Sequence, residues 1–282
     1  MVRNSFKIVS GFDFINILAY AAWKFAFHFM QRLPEVYTSI AESLRLKDPT
    51  AFGRMDKLRT MMKFNTYTET QILEELLPSS NIIKRLYRDF CDQHGNSGST
   101  TVPTSTGLSS EIRKMGAKSE LQQLIFEQFI TFNAHILRTN FFQSKKAALA
   151  FRLDGKFLSD TEFPEKPHAV IYIIGSEFRG FHIRFLDIAR GGIRMIRSAN
   201  AQVYARNVSS VFDECYLLAS TQHRKNKDIP EGGSKGVILL NQAHQDKANV
   251  AFRKYIDAVL DLMVGLGLHG FFYFENNLIL KC

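Results

Sequence analysis

Four short apolar runs in the second half of the chain place the strongest constraint on its fold. Each run has the length of a strand, and turns or helical stretches separate one run from the next. The runs are residues 147–153, 169–174, 181–186 and 236–240. Strands that alternate with helices favour an α/β fold, so we predict an α/β layer with a mixed sheet for this half.

A helix is predicted between the third and fourth runs, because apolar residues recur there at intervals of four and three. The stripe consists of Tyr204, Val208, Val211, Cys215 and Leu218. Continued at the same spacing, it reaches Gln222 and Lys225, so we expect both polar side chains to point inward, where each needs a partner. The alternative is a frayed helix end with both side chains in solvent.

The first half reads as helical. Apolar spacing over residues 16–91 has a helical period, and the apolar stretch 15–23 is too short to cross a bilayer, so we interpret it as a core helix. Residues 92–110 are rich in Gly, Ser, Thr and Pro, which predicts a flexible linker or loop. We therefore expect a helical region over 1–91 and, over 111–282, an α/β domain that opens with a helix running to about residue 138.

Charge and cysteine content exclude several classes of function. The 282 residues include 36 Lys and Arg against 27 Asp and Glu, but this excess of +9 is dispersed, so a nucleic-acid binder would rest on net charge alone. Cys91, Cys215 and Cys282 lie far apart, which predicts neither a disulfide framework nor a zinc site. We expect a reducing compartment, either cytoplasmic or mitochondrial, and no nucleic acid, membrane or metal ion as a partner.

Two motifs in the second half contain residues suited to binding an anion. ARGGIR, residues 189–194, sets two arginines around a glycine pair, and guanidinium groups bind carboxylates in a two-pronged geometry. In PEGGSKG, residues 230–236, we expect Gly232 and Gly233 to form a sharp turn that holds Lys235 just before a strand. Each motif could also be an ordinary surface turn. Together they predict a site for a small dicarboxylic amino acid.

Two other sequence features give weaker indications of function. GLGLHG, residues 265–270, fits the dinucleotide pattern GxGxxG, but it follows an amphipathic helix instead of a strand, so we do not assign it a nucleotide. His182 alternates with apolar residues along a predicted strand and has no second histidine at metal-ligand spacing. We interpret it as a structural histidine with satisfied hydrogen bonds.

The two motif-bearing runs also resemble a known family. The runs EFRGFHIRFLDIARGGIRMIRS (177–198) and VFDECYLLASTQHRKNKDIPEGGSKGVILL (211–240) are similar to those of the large, eukaryotic-type NAD-specific glutamate dehydrogenases. The similarity extends over about residues 137–262. It implies reversible oxidative deamination of L-glutamate to 2-oxoglutarate and ammonia with NAD, by a homo-oligomer.

The first motif acquires substrate-binding roles from this resemblance. Smaller glutamate dehydrogenases have the motif KGGxR at the matching position, and its lysine and glycines contact the substrate carboxylate. Arg190 stands at the lysine position, followed by Gly191, Gly192 and Arg194. Arginine keeps the positive charge but binds as a planar fork, so the carboxylate contact differs in detail.

The resemblance also assigns roles to a lysine of the second motif and to two residues that precede this motif. A glutamine and a lysine three residues later hold the substrate α-carboxylate in the family, and they correspond to Gln222 and Lys225. The lysine that closes PxGGxKG handles protons of the attacking water and corresponds to the catalytic Lys235.

Enzymes of this family continue into a GPD-type motif with a catalytic aspartate and then into a nicotinamide-binding Rossmann domain, and neither occurs in this sequence. The resemblance therefore implies that NAD binds on a domain that this chain lacks, and that the chain alone does not turn over. The alternative is a non-catalytic substrate-binding or assembly module derived from such an enzyme.

Overall fold

The computed structural model describes residues 13–29, 67–95, 119–160, 162–225 and 228–263, together with 39–40, 43–44, 47–48 and 50–51. The chain divides into two compact units, Met1–Ala134 and His135–Cys282.

The described part of the first unit is helical, as the apolar spacing predicted. Its helices are α1 (Asp13–Phe29), α2 (Glu69–Leu76), α3 (Ser80–His94) and α4 (Glu120–His135). Phe25 of α1 packs on Phe132 of α4, with 4.7 Å between ring centroids, and both side chains are buried. The stretch 15–23 is thus a core helix. Among the described helices, none is long and apolar enough to cross a bilayer.

Two of the predicted boundaries differ from those in the structure. Helix α3 continues to His94, so the predicted loop does not begin at residue 92; residues 96–110 lie outside the described residues. Helix α4 belongs to the first unit except for its final residue, and it ends at His135 instead of residue 138. Residues 136–139 form a strand because they pair with a neighbouring strand, and that tertiary pairing overrides the local helical pattern.

The second unit is built on one mixed sheet, which confirms the predicted α/β fold. Its strands are β1 (Ile136–Thr139), β2 (Leu149–Leu153), β3 (Ala169–Ile174), β4 (Phe178–Arg184), β5 (Ala189–Arg190), β6 (Ile193–Ile196) and β7 (Gly232–Leu240). The order is β1-β2-β3-β4-β7, with antiparallel neighbours, and both β5 and β6 pair with β7 in parallel. The four apolar runs correspond to β2, β3, β4 and β7. The shorter β1, β5 and β6 were missed.

Two helices cover opposite faces of this sheet: α5 (Ala201–His223) and α6 (Ala248–Met263). Along β7, Gly233 faces the end of α5, whereas Gly236 faces Tyr255 of α6. Consecutive odd and even positions of a strand point to opposite faces, so Lys235 lies on the α5 side. The Asn200 side chain caps α5 by accepting a hydrogen bond from the Val203 amide at 2.9 Å.

The buried stripe of α5 differs from the predicted one towards its carboxyl end. Val208, Val211 and Cys215 are buried as predicted, but Leu218 is only half-buried and Ala219 is buried instead. A spacing of alternating four and three repeats every 3.5 residues, while an α-helix repeats every 3.6, so the contact row drifts along a helix of this length.

Candidate functional site

The structure brings the two motifs together as neighbouring parallel strands. Ala189 pairs with Gly232 and Ile193 pairs with Gly236, and the Gly236 amide donates to the Gly192 carbonyl at 3.0 Å. ARGGIR and PEGGSKG therefore form one continuous surface at the edge of the sheet beside the carboxyl end of α5.

Glycine is needed at this junction because the backbones approach too closely for side chains. A β-carbon on Gly191 would lie 1.6 Å from the Ser234 carbonyl oxygen, and one on Gly233 would lie 2.1 Å from the His223 amide nitrogen. Gly232 and Gly233 were expected to form a sharp turn, and this was wrong, since they are the first residues of β7. Gly232 allows close packing of β7 on Leu186, in the bend after β4, and Gly233 allows close packing of β7 on the end of α5.

Lys235 lies inside β7, three residues beyond the strand's start, and not just before it as predicted. It is half-buried and pairs in register with Ile183 of β4. A β-carbon on Gly192 would be 3.7 Å from the Lys235 ammonium nitrogen, an ordinary contact distance, so the ammonium lies beside the glycine pair of the first motif.

The neighbouring thiol is not a second reactive group. Cys215 donates to the Lys235 carbonyl oxygen at 3.3 Å and is fully buried. Burial raises the pKa of the Cys215 thiol well above its usual range, so the thiolate needed for nucleophilic chemistry is disfavoured.

Each arginine of the first motif forms an ion pair within the protein. Arg190 Nε lies 2.5 Å from a Glu231 carboxylate oxygen, and Arg194 lies 2.7 Å from a carboxylate oxygen of Glu214 in α5. The arginine side chains are 53% and 58% exposed, so each guanidinium keeps N–H groups that face solvent. Sequence reasoning missed both partners. Glu231 lies within PEGGSKG, but nothing in the sequence pairs it with Arg190.

Gln222 and Lys225 lie at the carboxyl end of α5 in different environments. Gln222 is half-buried, whereas Lys225 is exposed and follows the last helical residue, His223. The expectation that Lys225 points inward was wrong, because Ala219 and His223 form the row that meets β7. An exposed lysine at the end of a helix can still contact a bound anion, and the role of both residues stays a prediction.

His182 is half-buried, but both of its ring nitrogens are shielded from solvent and neither has a hydrogen-bond partner. Its Nδ1 is 3.3 Å from the position that a β-carbon on Gly236 would occupy. Burial, with a smaller contribution from the positive charge of Arg184, lowers the pKa of His182 to about 4. The ring is therefore neutral at physiological pH, and the expected satisfaction of its hydrogen bonds was wrong.

The β–α–β unit of the second half lacks the glycine-rich turn typical of a dinucleotide site. Strand β6, helix α5 and strand β7 make a parallel β–α–β unit, but its first turn, residues 197–200, reads RSAN and lacks the glycines that let a pyrophosphate approach. Within the described ranges no group of three His, Cys, Asp or Glu side chains could hold a metal ion. GLGLHG lies outside the described residues.

Comparison with known proteins gives a consistent result. The sequence matches the family described as "Bacterial NAD-glutamate dehydrogenase, catalytic domain" over residues 111–267. It is 47% identical over 251 residues to "Glutamate dehydrogenase 2" of Dictyostelium discoideum, covering 87% of this chain and 24% of that protein. It is 40% identical over 261 residues to "NAD-specific glutamate dehydrogenase" of Neurospora crassa, covering 88% of this chain and 25% of that one.

A further relative, "NAD-specific glutamate dehydrogenase" of Saccharomyces cerevisiae, is 38% identical over 269 residues, which is 88% of this chain and 25% of the relative. The chain thus spans about a quarter of the length of the curated relatives it matches. The family match covers more than half of the chain and includes both motifs. The chain belongs to the NAD-glutamate dehydrogenase family.

Proposed function

We propose that this chain supplies the glutamate-binding part of the active site of an enzyme that converts L-glutamate to 2-oxoglutarate and ammonia with NAD. The parallel pairing of β5 and β6 with β7 carries the proposal. That pairing sets the Lys235 ammonium beside the Gly191–Gly192 backbone, with Arg190 and Arg194 on either side in the chain. Glutamate and 2-oxoglutarate carry two carboxylates, and this surface offers them three cations.

Each residue has a role in the proposal. Arg190 and Arg194 supply positive charge for the side-chain carboxylate, while Gly191 and Gly192 let the substrate approach the backbone. Gln222 and Lys225, at the end of α5, hold the α-carboxylate.

Lys235 has the catalytic role in this scheme. Its backbone lies in β7, two residues after the point where Gly233 meets α5, and its ammonium exchanges protons with the water that adds to the α-carbon. The hydride acceptor binds elsewhere, since the described β–α–β unit lacks a glycine-rich turn. A homo-oligomer in a reducing compartment completes the proposal, and Cys91 and Cys215 are free thiols, as such a compartment favours.

Isothermal titration of the 282-residue chain with 2-oxoglutarate tests the binding. We expect saturable binding, weaker binding of glutarate, which lacks the α-keto group, and loss of binding at high salt. A folded chain that binds neither 2-oxoglutarate nor L-glutamate would contradict the proposal.

The internal ion pairs favour one second candidate. Arg190 and Arg194 are each already held by a carboxylate, as they would be in a module that keeps the scaffold without catalysis. Saturable binding of 2-oxoglutarate, without glutamate oxidation when a nucleotide-binding domain of a relative is supplied, would support that module instead.

A further inference from the structure

The last residue of helix α5, His223, is held on three sides. Its ring stacks on Phe185, with 5.2 Å between centroids and 17° between planes. Its Nδ1 accepts a hydrogen bond from the Gly233 amide at 3.1 Å, and its Nε2 lies 3.4 Å from a Glu165 carboxylate oxygen. Few rotations of the ring would preserve all three contacts.

These contacts decide which ring nitrogen carries the proton. A nitrogen that accepts from an amide N–H must be unprotonated, so the proton of the neutral ring lies on Nε2, which faces the carboxylate of Glu165. Glu165 is itself held by the Ser220 hydroxyl and by Arg224, with 3.4 and 3.3 Å to one carboxylate oxygen. The carboxylate therefore stabilises the form of the ring that can accept from Gly233.

The peptide of Gly233 is fixed from both directions. Its N–H donates to His223, while its carbonyl accepts from the Phe185 amide at 3.0 Å. Because His223 and Phe185 stack on each other, the same pair holds both polar groups of this residue. Gly233 is two positions before Lys235 on the same face of β7, so the contacts that fix Gly233 also fix the backbone position of Lys235.

We propose that His223 is a positioning residue that joins the end of α5 to the start of β7, with Glu165 holding its ring, and so sets the distance between Lys235 and the Gln222–Lys225 end of the helix. The effect on substrate rests on the function proposed above. The hydrogen bond between His223 and Gly233 is independent of that function.

Two substitutions separate the hydrogen bond from the packing. His223→Phe keeps a ring that can stack on Phe185 but has no acceptor for the Gly233 amide. His223→Asn loses the ring but places a carbonyl oxygen as many bonds from the backbone as Nδ1, so it can accept from Gly233. A purely packing role predicts that Phe is tolerated better than Asn, and the positioning role predicts the reverse.

The first measurement is hydrogen exchange of the Gly233 amide in the 282-residue chain. We expect His223→Phe to accelerate exchange about tenfold and His223→Asn to leave it near the wild-type rate, as for the loss and retention of one hydrogen bond. Nitrogen-15 shifts of the wild-type ring should show Nε2 protonated. Unchanged exchange in His223→Phe, or a ring protonated on Nδ1, would overturn the proposal.

The second measurement is 2-oxoglutarate affinity by calorimetry in the same three proteins. We expect affinity to fall about tenfold in His223→Phe and to be retained in His223→Asn, because the cations keep their spacing only when Gly233 is held. Faster exchange of the Gly233 amide with unchanged 2-oxoglutarate affinity would support the hydrogen bond between His223 and Gly233 but refute the positioning role. If the wild-type chain binds no 2-oxoglutarate, the proposed function fails, and amide exchange still decides whether His223 joins helix to strand.

Discussion

Gly191 and Ser234 lie in contact across the two motifs, so closely that a β-carbon on Gly191 would be 1.6 Å from the Ser234 carbonyl oxygen. The contact is backbone to backbone, and no side-chain rotation can relieve it. The two motifs can therefore meet as parallel strands only if residue 191 is glycine.

Gly191→Ala should destabilise the second unit, whereas Gly192→Ala should not, because a β-carbon on Gly192 has its nearest contact at 3.7 Å. We expect a loss of about 2–3 kcal/mol in the free energy of unfolding for Gly191→Ala, the cost of overpacking, and under about 1 kcal/mol for Gly192→Ala. Urea unfolding measures both. Equal losses for the two variants would show that the close approach does not limit residue 191.

Lys235→Met should abolish most catalysis in the complete enzyme without unfolding the chain. Methionine keeps the apolar stem of this half-buried side chain but cannot exchange a proton. We expect kcat for glutamate oxidation to fall by roughly 10²–10⁴-fold, the usual contribution of a general acid or base. Lys247→Ala, which removes a half-exposed lysine paired with Asp246, is the control and should keep the wild-type rate. A near wild-type kcat in Lys235→Met would exclude the catalytic role.

Glu231→Gln should strengthen binding of 2-oxoglutarate. The Glu231 carboxylate now shares the charge of Arg190, and removing it leaves more positive potential for an anionic substrate. We expect affinity to rise a few-fold at low salt, with a smaller gain at high salt. Asp160→Asn removes the same charge at a 93% exposed carboxylate paired with Lys166 and should change nothing. Weaker binding in Glu231→Gln would mean that Glu231 orients Arg190 instead of competing with the substrate.

His182→Leu should remove part of the acid sensitivity of the fold. Burial lowers the pKa of His182 to about 4 from an ordinary value of 6.5, so the unfolded chain takes up a proton before the native chain does. Its contribution to stability is therefore full above pH 6.5 and is lost as pH falls towards 4.

For that variant we expect the decline in unfolding free energy over this pH range to be smaller than in the wild type by roughly 2–3 kcal/mol. Leucine also leaves no unpaired ring nitrogen in the core, so stability at pH 7 should not fall by more than about 1 kcal/mol. Chemical denaturation at several pH values measures both quantities. An unchanged pH slope would show that His182 gains a proton as easily in the native state as in the unfolded one.

Much of the fold could be predicted from the local spacing of apolar residues. Helix α6 shows this: Ala251, Tyr255, Val259 and Leu262 fall on one face by spacing, and all four are buried. Strands β1, β5 and β6 could not be predicted in this way, because two to four residues are too few to show a period.

The candidate site was predicted in its motifs but not in its contacts. The glycine pairs and Lys235 are visible in the sequence, whereas the pairing of Arg190 with Glu231 and of Arg194 with Glu214 is not. Arg190 of β5 pairs with the residue just before β7, and Arg194 of β6 pairs with α5, so no spacing along a single element indicates either pair.

The sequence by itself determined the family, the α/β class of the second unit and the identity of the two motifs, because these depend on residue types and on spacing along one element. The tertiary structure alone decided that the motifs are adjacent parallel strands, that Lys235 lies within β7 and that Lys225 is exposed beyond the end of α5. It also decided that His223 meets Gly233. These outcomes depend on how the end of a helix packs on a strand, and that packing is fixed by contacts between residues far apart in the chain.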